Sequence, residues 1–375
     1  MKRAATGRNL GRFLTLFLVL ALGLAACGQA AAPTATTEPG TPTATSLPTL
    51  TPTPVVGAAG LYVDAAFRQG EISPYVYGTN YGPWLFVPLQ MQPFAEDGNL
   101  NIVRFPGGNW GDLNDIDPWQ LDQYIAFTRQ IEAEPYIHVR LENSTAQQAA
   151  ELVHLANVAN DYNVRFWSIG NEPNLFGAYY SSERFNEEWR EWALAMEAID
   201  PSIQLVGPEI NQFIPNLDSA YEAELERWLI EFLQANGDLV DVVSFHRYPF
   251  PREGINQLPS ADDLRRASEE WDETIPYARA LIREHTGRDI PIGVTEANSS
   301  WAGSSGGETT LDSHLNAIWW GDSLGRMIRE GVFMVQQFAI IGQFGLMDNY
   351  NTKPIYYEYK MYQGFGEQRL FASSD

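Results

Sequence analysis

From Gly57 onward the chain alternates short runs rich in β-branched and aromatic residues with longer stretches whose apolar positions recur at i, i+3 and i+4. Runs of the first kind occupy 75–82, 101–108, 135–141, 165–172, 203–210, 240–248, 291–298 and 332–340. The stretches 117–133, 145–162, 181–199, 221–235, 261–285 and 311–330 have the period of amphipathic helices. Strands alternating with helices predict a parallel sheet covered by helices. Eight such units favour a closed (β/α)8 barrel, of the triosephosphate isomerase (TIM) type, over an open doubly wound sheet. The glycine-rich phosphate fingerprint of many open sheets is also missing from the sequence.

The first sixty residues follow another pattern. Lys2, Arg3, Arg8 and Arg12 lead into an apolar run over 13–26 that has the layout of an export signal. The run ends in Leu24-Ala25-Ala26-Cys27, which resembles the bacterial lipobox. That resemblance implies cleavage before Cys27 and lipidation of its thiol. Cys27 is the single cysteine, so an internal disulfide or a thiolate metal cluster is excluded. Residues 33–54 are dominated by Thr and Pro, a composition that builds no core and predicts a disordered stalk of up to roughly 70 Å. The expected organisation is therefore a signal peptide over 1–26, a lipidated cysteine and linker over 27–57, and a barrel over 58–375. The protein is expected to be an exported, cell-surface or periplasmic lipoprotein that touches the membrane only through Cys27.

Charge narrows the partners. The chain carries 24 Lys and Arg against 47 Asp and Glu, a net charge of −23. Such a surface repels a phosphate backbone, which excludes nucleic acid as a partner. With 45% hydrophobic and 19% charged residues, the bulk is expected to be globular.

Polar residues gather at the C-terminal ends of the predicted strands, where a barrel carries its site. They include Asn80, Asn109, Glu142, Asn171, Glu172, Glu209, His246, Tyr248, Glu296 and Gln337. The most specific motif is Phe166-Trp167-Ser168-Ile169-Gly170-Asn171-Glu172-Pro173-Asn174, an apolar strand stopped by Asn-Glu-Pro. It resembles the fourth strand of the retaining glycoside hydrolases of clan A, which are built on this barrel. The resemblance makes Glu172 the general acid/base and Asn171 a ligand of the sugar 2-hydroxyl. The partner carboxylate is expected three strands later, and Ile292-Gly293-Val294-Thr295-Glu296 supplies it. Two carboxyl groups about 5–5.5 Å apart leave no room for a water between them, so Glu296 is expected to be the nucleophile of a double displacement. That chemistry needs Glu172 protonated while Glu296 is charged. Arg104 is placed to keep Glu296 ionised, and His246 and Tyr248, two apart on one strand, to orient that same carboxylate. Asn109, Trp301 and Gln337 complete the expected substrate contacts, Trp301 by stacking on a sugar face. Glu142 and Glu209 are the competing carboxylates.

Within the clan, the stretches 167–174, 205–209, 241–248, 293–300 and 335–337 look most like the β-glucuronidase and heparanase family. The run Arg104-Phe105-Pro106-Gly107-Gly108-Asn109 is more similar to the arabinofuranosidases and xylosidases. The resemblance implies a poly- or oligosaccharide substrate, no metal and no other cofactor. The glucuronidase family usually carries a β-sandwich, expected here to be absent or reduced to a strand pair from 61–67 and the tail. It also reads a uronate through loop amides, for which Gly303, Gly306 and Gly307 are available, and through a tyrosine hydroxyl. Phe344 stands at the tyrosine position. The alternatives are a carbohydrate-binding lipoprotein with a catalytically silent barrel, or an arabinofuranosidase, xylosidase or endoglucanase of the same clan.

Overall fold

The structure is a computed structural model and describes residues 60–215, 219–252 and 258–374. The signal, Cys27 and the stalk lie outside the described residues. Ten strands follow one another: β1 (Tyr62–Glu71), β2 (Gly78–Asn80), β3 (Ile102–Phe105), β4 (Glu134–Val139), β5 (Phe166–Ile169), β6 (Gln204–Ile210), β7 (Val242–Arg247), β8 (Ile292–Ala297), β9 (Met334–Gln337) and β10 (Gln368–Ser373). Strands β2 to β9 close into a parallel eight-stranded barrel in chain order, β9 pairing back onto β2 through Gly78 with Gln336 and Thr79 with Gln337. All eight barrel strands fall where the sequence pattern places them. β1 and β10 pair antiparallel from Tyr62 opposite Ser373 to Glu71 opposite Gln368, the strand pair expected from 61–67 and the tail.

Several strands stop short of their expected ends. β5 gives way at Gly170 (φ 77°), and Glu172 (φ 48°) is also left-handed, so the Asn-Glu-Pro motif sits on the turn above the strand. In β6 the pairing shifts between Pro208 and Ile210, with Glu209 at φ 59°.

The helices are started by side-chain caps. Thr145, Ser181, Ser219 and Ser313 each accept the backbone N–H three residues on, opening Ala146–Val153, Ser182–Glu197, Ala220–Asn236 and His314–Arg329. Asp117 does the same for Pro118–Gln130 within a capping box. The expected helix over 261–285 is broken into Ala261–Ala267 and Trp271–Thr286 by a short turn at Ser268–Glu270. A helix at Pro354–Tyr362 was not anticipated; it buries Ile355, Tyr356 and Tyr359.

Two layers fill the barrel. At one end Ile102, Tyr136, Phe166, Val206, Val242 and Met334 form a closed apolar plug. Side chains on a strand return to the same face every second residue. Two positions further along these strands the interior becomes polar, with Arg104, His138, Ser168, Ser244 and Gln336, all fully buried. Outside the barrel the main core packs helices onto strands around Trp167, Trp189, Trp271, Trp319 and Trp320. The plug supports the polar layer from below, and the strand-end turns carry the site above it.

Candidate active site

The polar layer is organised by Arg104, which is fully buried on β3. Its Nη1 donates to Glu296 Oε1 (2.8 Å) and Asn80 Oδ1 (3.0 Å). Its Nη2 donates to Asn171 Oδ1 (2.8 Å) and lies 2.8 Å from Glu209 Oε2. One planar cation thus ties together residues from β2, β6, β8 and the turn after β5. Such fork-like donors suit carboxylates better than a lysine ammonium does.

Glu296 is held from both sides. Oε1 also accepts the Gly108 backbone N–H at 3.0 Å, and Oε2 accepts the Tyr248 hydroxyl at 2.9 Å. The Gly108 contact depends on a left-handed pair, Gly107 (φ 65°) and Gly108 (φ 60°), a conformation open to glycine at little cost. A Cβ at Gly108 would meet the Phe338 ring only at 3.4 Å, so backbone conformation rather than space requires glycine there. Burial, reinforced by the charge on Glu296, pushes the Tyr248 hydroxyl well above its ordinary value and keeps it a donor.

Glu172 faces this group. Its backbone N–H donates to the Glu209 carbonyl at 2.9 Å, which fixes the turn. Its Oε1 lies 3.1 Å from His246 Nδ1. One ligand atom each from Glu172, His246 and Glu296 lie within 4.8 Å of one another, so the two carboxyl groups approach to within that distance. The same spacing admits a cation, but the Arg104 guanidinium already supplies the positive charge against Glu296. Asn171 is fixed by its N–H to Asp112 Oδ2 (2.9 Å) and by its amide to Asn109 Oδ1 (2.9 Å). Asp112 is buried, and that burial pushes its carboxyl up to about 8 against two backbone N–H bonds.

A cavity of about 960 Å³ opens above these residues. Of the residues expected from the sequence, Asn109, Glu172, Tyr248, Glu296 and Trp301 line it. Arg104, Asn171 and His246 lie beneath, bonded to the lining. Two expectations need correction. His246 was expected to orient Glu296, but its nearest carboxylates are Glu209 (2.9 Å) and Glu172 (3.1 Å), with Glu296 at 3.7 Å. The pairing of β7 with β8 sets His246 opposite Glu296, yet the ring turns to the other two carboxylates. Gln337 was expected to meet substrate, yet it is fully buried and its Nε2 donates to the Phe338 and Phe344 carbonyls at 2.9 and 2.8 Å. It anchors the loop whose rings, Phe338 and Phe344, form one cavity wall. Glu142 accepts the Tyr179 hydroxyl and is absent from the lining. The sequence pattern puts Asn80 and the Gly107-Gly108 pair at strand ends but gives neither its role against Arg104 or Glu296, and it misses Asp112 altogether.

No family model matches the chain. It is 28% identical over 285 residues to an intracellular exo-α-(1→5)-L-arabinofuranosidase of Streptomyces lividans, covering 59% of this chain and 42% of that protein. To a β-xylosidase of Geobacillus stearothermophilus it is 23% identical over 239 residues, covering 56% and 44%. The chain therefore spans less than half the length of either relative. Among solved structures, a family 51 α-L-arabinofuranosidase from Bifidobacterium longum superposes with a TM-score of 0.68 at 16% identity, covering 86% of this chain and 79% of that one. An α-L-arabinofuranosidase from Thermotoga maritima in complex with arabinose gives 0.65 at 19%, covering 84% and 75%. These likenesses agree on the TIM barrel.

The central cation gives a direct test. Arg104→Met leaves Glu209 and Glu296 buried without their counter-charge and is expected to cost about 3–5 kcal/mol in urea unfolding. Arg104→Lys keeps the charge without the fork and is expected to fall between that variant and the parent. Equal stability of Arg104→Met and the parent would contradict the arrangement.

Proposed function

We propose that the chain is a retaining glycoside hydrolase that cleaves pentosides, α-L-arabinofuranosides or β-xylosides, from oligo- or polysaccharides. The observation that carries this is the pair of facing carboxyl groups. Glu172 and Glu296 approach within 4.8 Å, near the spacing of double-displacement enzymes and well short of the about 6.5–9.5 Å of inverting ones. In the first step Glu296 attacks the anomeric carbon while Glu172 gives its proton to the departing oxygen. In the second, water attacks the glycosyl ester, Glu172 takes a proton from it, and Glu296 leaves as carboxylate. Three donors on Glu296 hold it aimed before attack. The cavity volume lies at the upper end of the range of about 300–1,000 Å³ for small-molecule sites, roomy enough for more than one sugar ring.

The pentose assignment is supported by the names of the relatives and by the chemistry of the walls. Phe338 and Phe344 present rings where a uronate would need a donor. The loop amides of Gly306 and Gly307 already donate to Asp312 and Thr310 within their own loop. Arg247 is paired bidentately with Glu270 at 2.6 and 2.8 Å. Among the described lining residues, the one cation left to a substrate carboxylate is Arg252, stacked over Phe250.

We also infer that the protein is exported and anchored through Cys27. This rests on residues 1–27 alone, since the Streptomyces lividans relative is named as intracellular.

With aryl glycosides, release from α-L-arabinofuranoside or β-xyloside and none from β-glucuronide is expected. Preference for the glucuronide would overturn the pentose assignment, and no release from a folded protein would favour a binding protein. Azide is expected to rescue Glu296→Gly with a glycosyl azide of inverted configuration, and Glu172→Ala with one of retained configuration. The opposite stereochemistry would reverse the roles. The mass of the mature protein is expected to show acyl chains on Cys27; an unmodified thiol would contradict the anchor.

A further inference from the structure

Glu209 is a buried carboxylate that the reaction does not use and that touches the partners of both reacting groups. It is fully buried, absent from the cavity lining, and saturated by donors. Oε1 accepts the Tyr136 hydroxyl (2.5 Å) and the Ser244 hydroxyl (2.9 Å). Oε2 lies 2.8 Å from Arg104 Nη2 and 2.9 Å from His246 Nε2. Those two donors are the groups that reach the reacting carboxyls, Arg104 to Glu296 and His246 to Glu172. A buried carboxylate costs several kcal/mol in lost hydration unless such partners offset it.

We propose that Glu209 is a positioning residue that sets both reacting carboxyls at once, by orienting Arg104 toward Glu296 and by fixing the ring of His246 toward Glu172. This rests on the glycosidase reading given above. With Glu209 accepting from Nε2–H, the other ring nitrogen, Nδ1, is turned to Glu172. With both ring nitrogens protonated, Nδ1–H donates to Glu172 Oε1 at 3.1 Å, and the proton that Glu172 gives to the departing oxygen and later takes from water is carried on its other oxygen. His246 keeps its own protons throughout, so Glu172 finds a fixed partner both as acid and as base. A carboxylate that orients an imidazole in this manner is the role of the aspartate in serine protease triads.

The charged and titratable groups around His246 are Glu172, Glu209 and Glu296, with the Arg104 cation and with His138, whose burial and the nearby Arg104 hold its proton affinity well below the usual histidine value. Burial lowers its proton affinity, but the charge on Glu296 and the bonds to Glu172 and Glu209 outweigh this and raise it to about 9. Burial works against Glu209 as well, and Arg104, His246 and Tyr136 together hold its carboxyl well below the usual range. A histidine raised above its unfolded value stabilises the fold fully below about pH 6.5, and the contribution is lost as the pH rises through about 9. The carboxylate works the other way: its contribution is present above the usual carboxylate range and is lost as the pH falls to its depressed value.

The test is Glu209→Gln in the full chain, read in two ways. The first is the NMR titration of histidine-labelled protein, with the His246 resonance assigned by its loss in His246→Gln. This readout does not depend on activity, so it stands whether or not the glycosidase reading does. The parent is expected to titrate near 9 and Glu209→Gln at least about one unit lower, since a charged partner has been removed. The second is kinetics on the aryl glycoside the parent cleaves. Here kcat is expected to fall on the order of 10²-fold with KM within about threefold, because Glu209 touches no substrate and acts through placement. Glu209→Asp keeps the charge and withdraws it by one methylene. It is expected to recover much of the His246 titration and part of kcat, and it serves as the test if Glu209→Gln does not fold. An unchanged His246 titration in Glu209→Gln, an unchanged kcat in Glu209→Asp where that is the variant that folds, or a loss confined to KM, would overturn the proposal.

Discussion

A single buried guanidinium determines where the side chains of the site lie. Arg104 stands inside the barrel with two carboxylates and two side-chain amides around it, drawn from β2, β6, β8 and the turn after β5. Removing such a cation from water is costly, and only a complete set of charged partners offsets the loss. That requirement is met by the closed barrel, in which strands distant in sequence bring their ends around one axis. The apolar plug one layer below leaves the guanidinium nowhere to relax except toward its partners.

Charge then alternates outward from this point. Glu209 lies between Arg104 and His246, and His246 lies between Glu209 and Glu172. Glu296 closes the other side, between Arg104 and the Tyr248 hydroxyl. Each anion is paired below the cavity, and what reaches the cavity is one oxygen-bearing edge from each of two carboxyls. The proposed neutral sugar would add no charge to an already acidic protein, whose net charge is −23.

Much of this was legible in the sequence, for a geometric reason. In a barrel whose strands pair in chain order, order along the chain becomes angle around the axis, and a strand end becomes height. Counting strands therefore placed Glu172, Glu296 and Arg104 correctly relative to one another, and period-two spacing put His246 and Tyr248 on the inner face. What the pattern did not carry is the direction in which an inner side chain points. His246 meets Glu172 and Glu209 more closely than Glu296 although it is paired opposite Glu296, and Gln337 turns to two loop carbonyls rather than the cavity. The Gly108 amide was equally hidden, because it depends on two successive left-handed residues rather than on any side chain. The helix at Pro354–Tyr362 escaped notice because its buried face is only Ile355, Tyr356 and Tyr359, too short a stripe to announce its period.

The central claim is that Glu296 forms the covalent bond to the sugar while Glu172 moves the proton. The most direct measurement is trapping with a 2-deoxy-2-fluoro pentosyl fluoride, followed by proteolysis and mass mapping of the labelled peptide. The fluorine slows both steps, and the good leaving group lets the first outrun the second. The account predicts one pentosyl adduct per chain, located on Glu296. An adduct on Glu172, Glu209 or any other side chain, or inactivation without a covalent adduct, would contradict it.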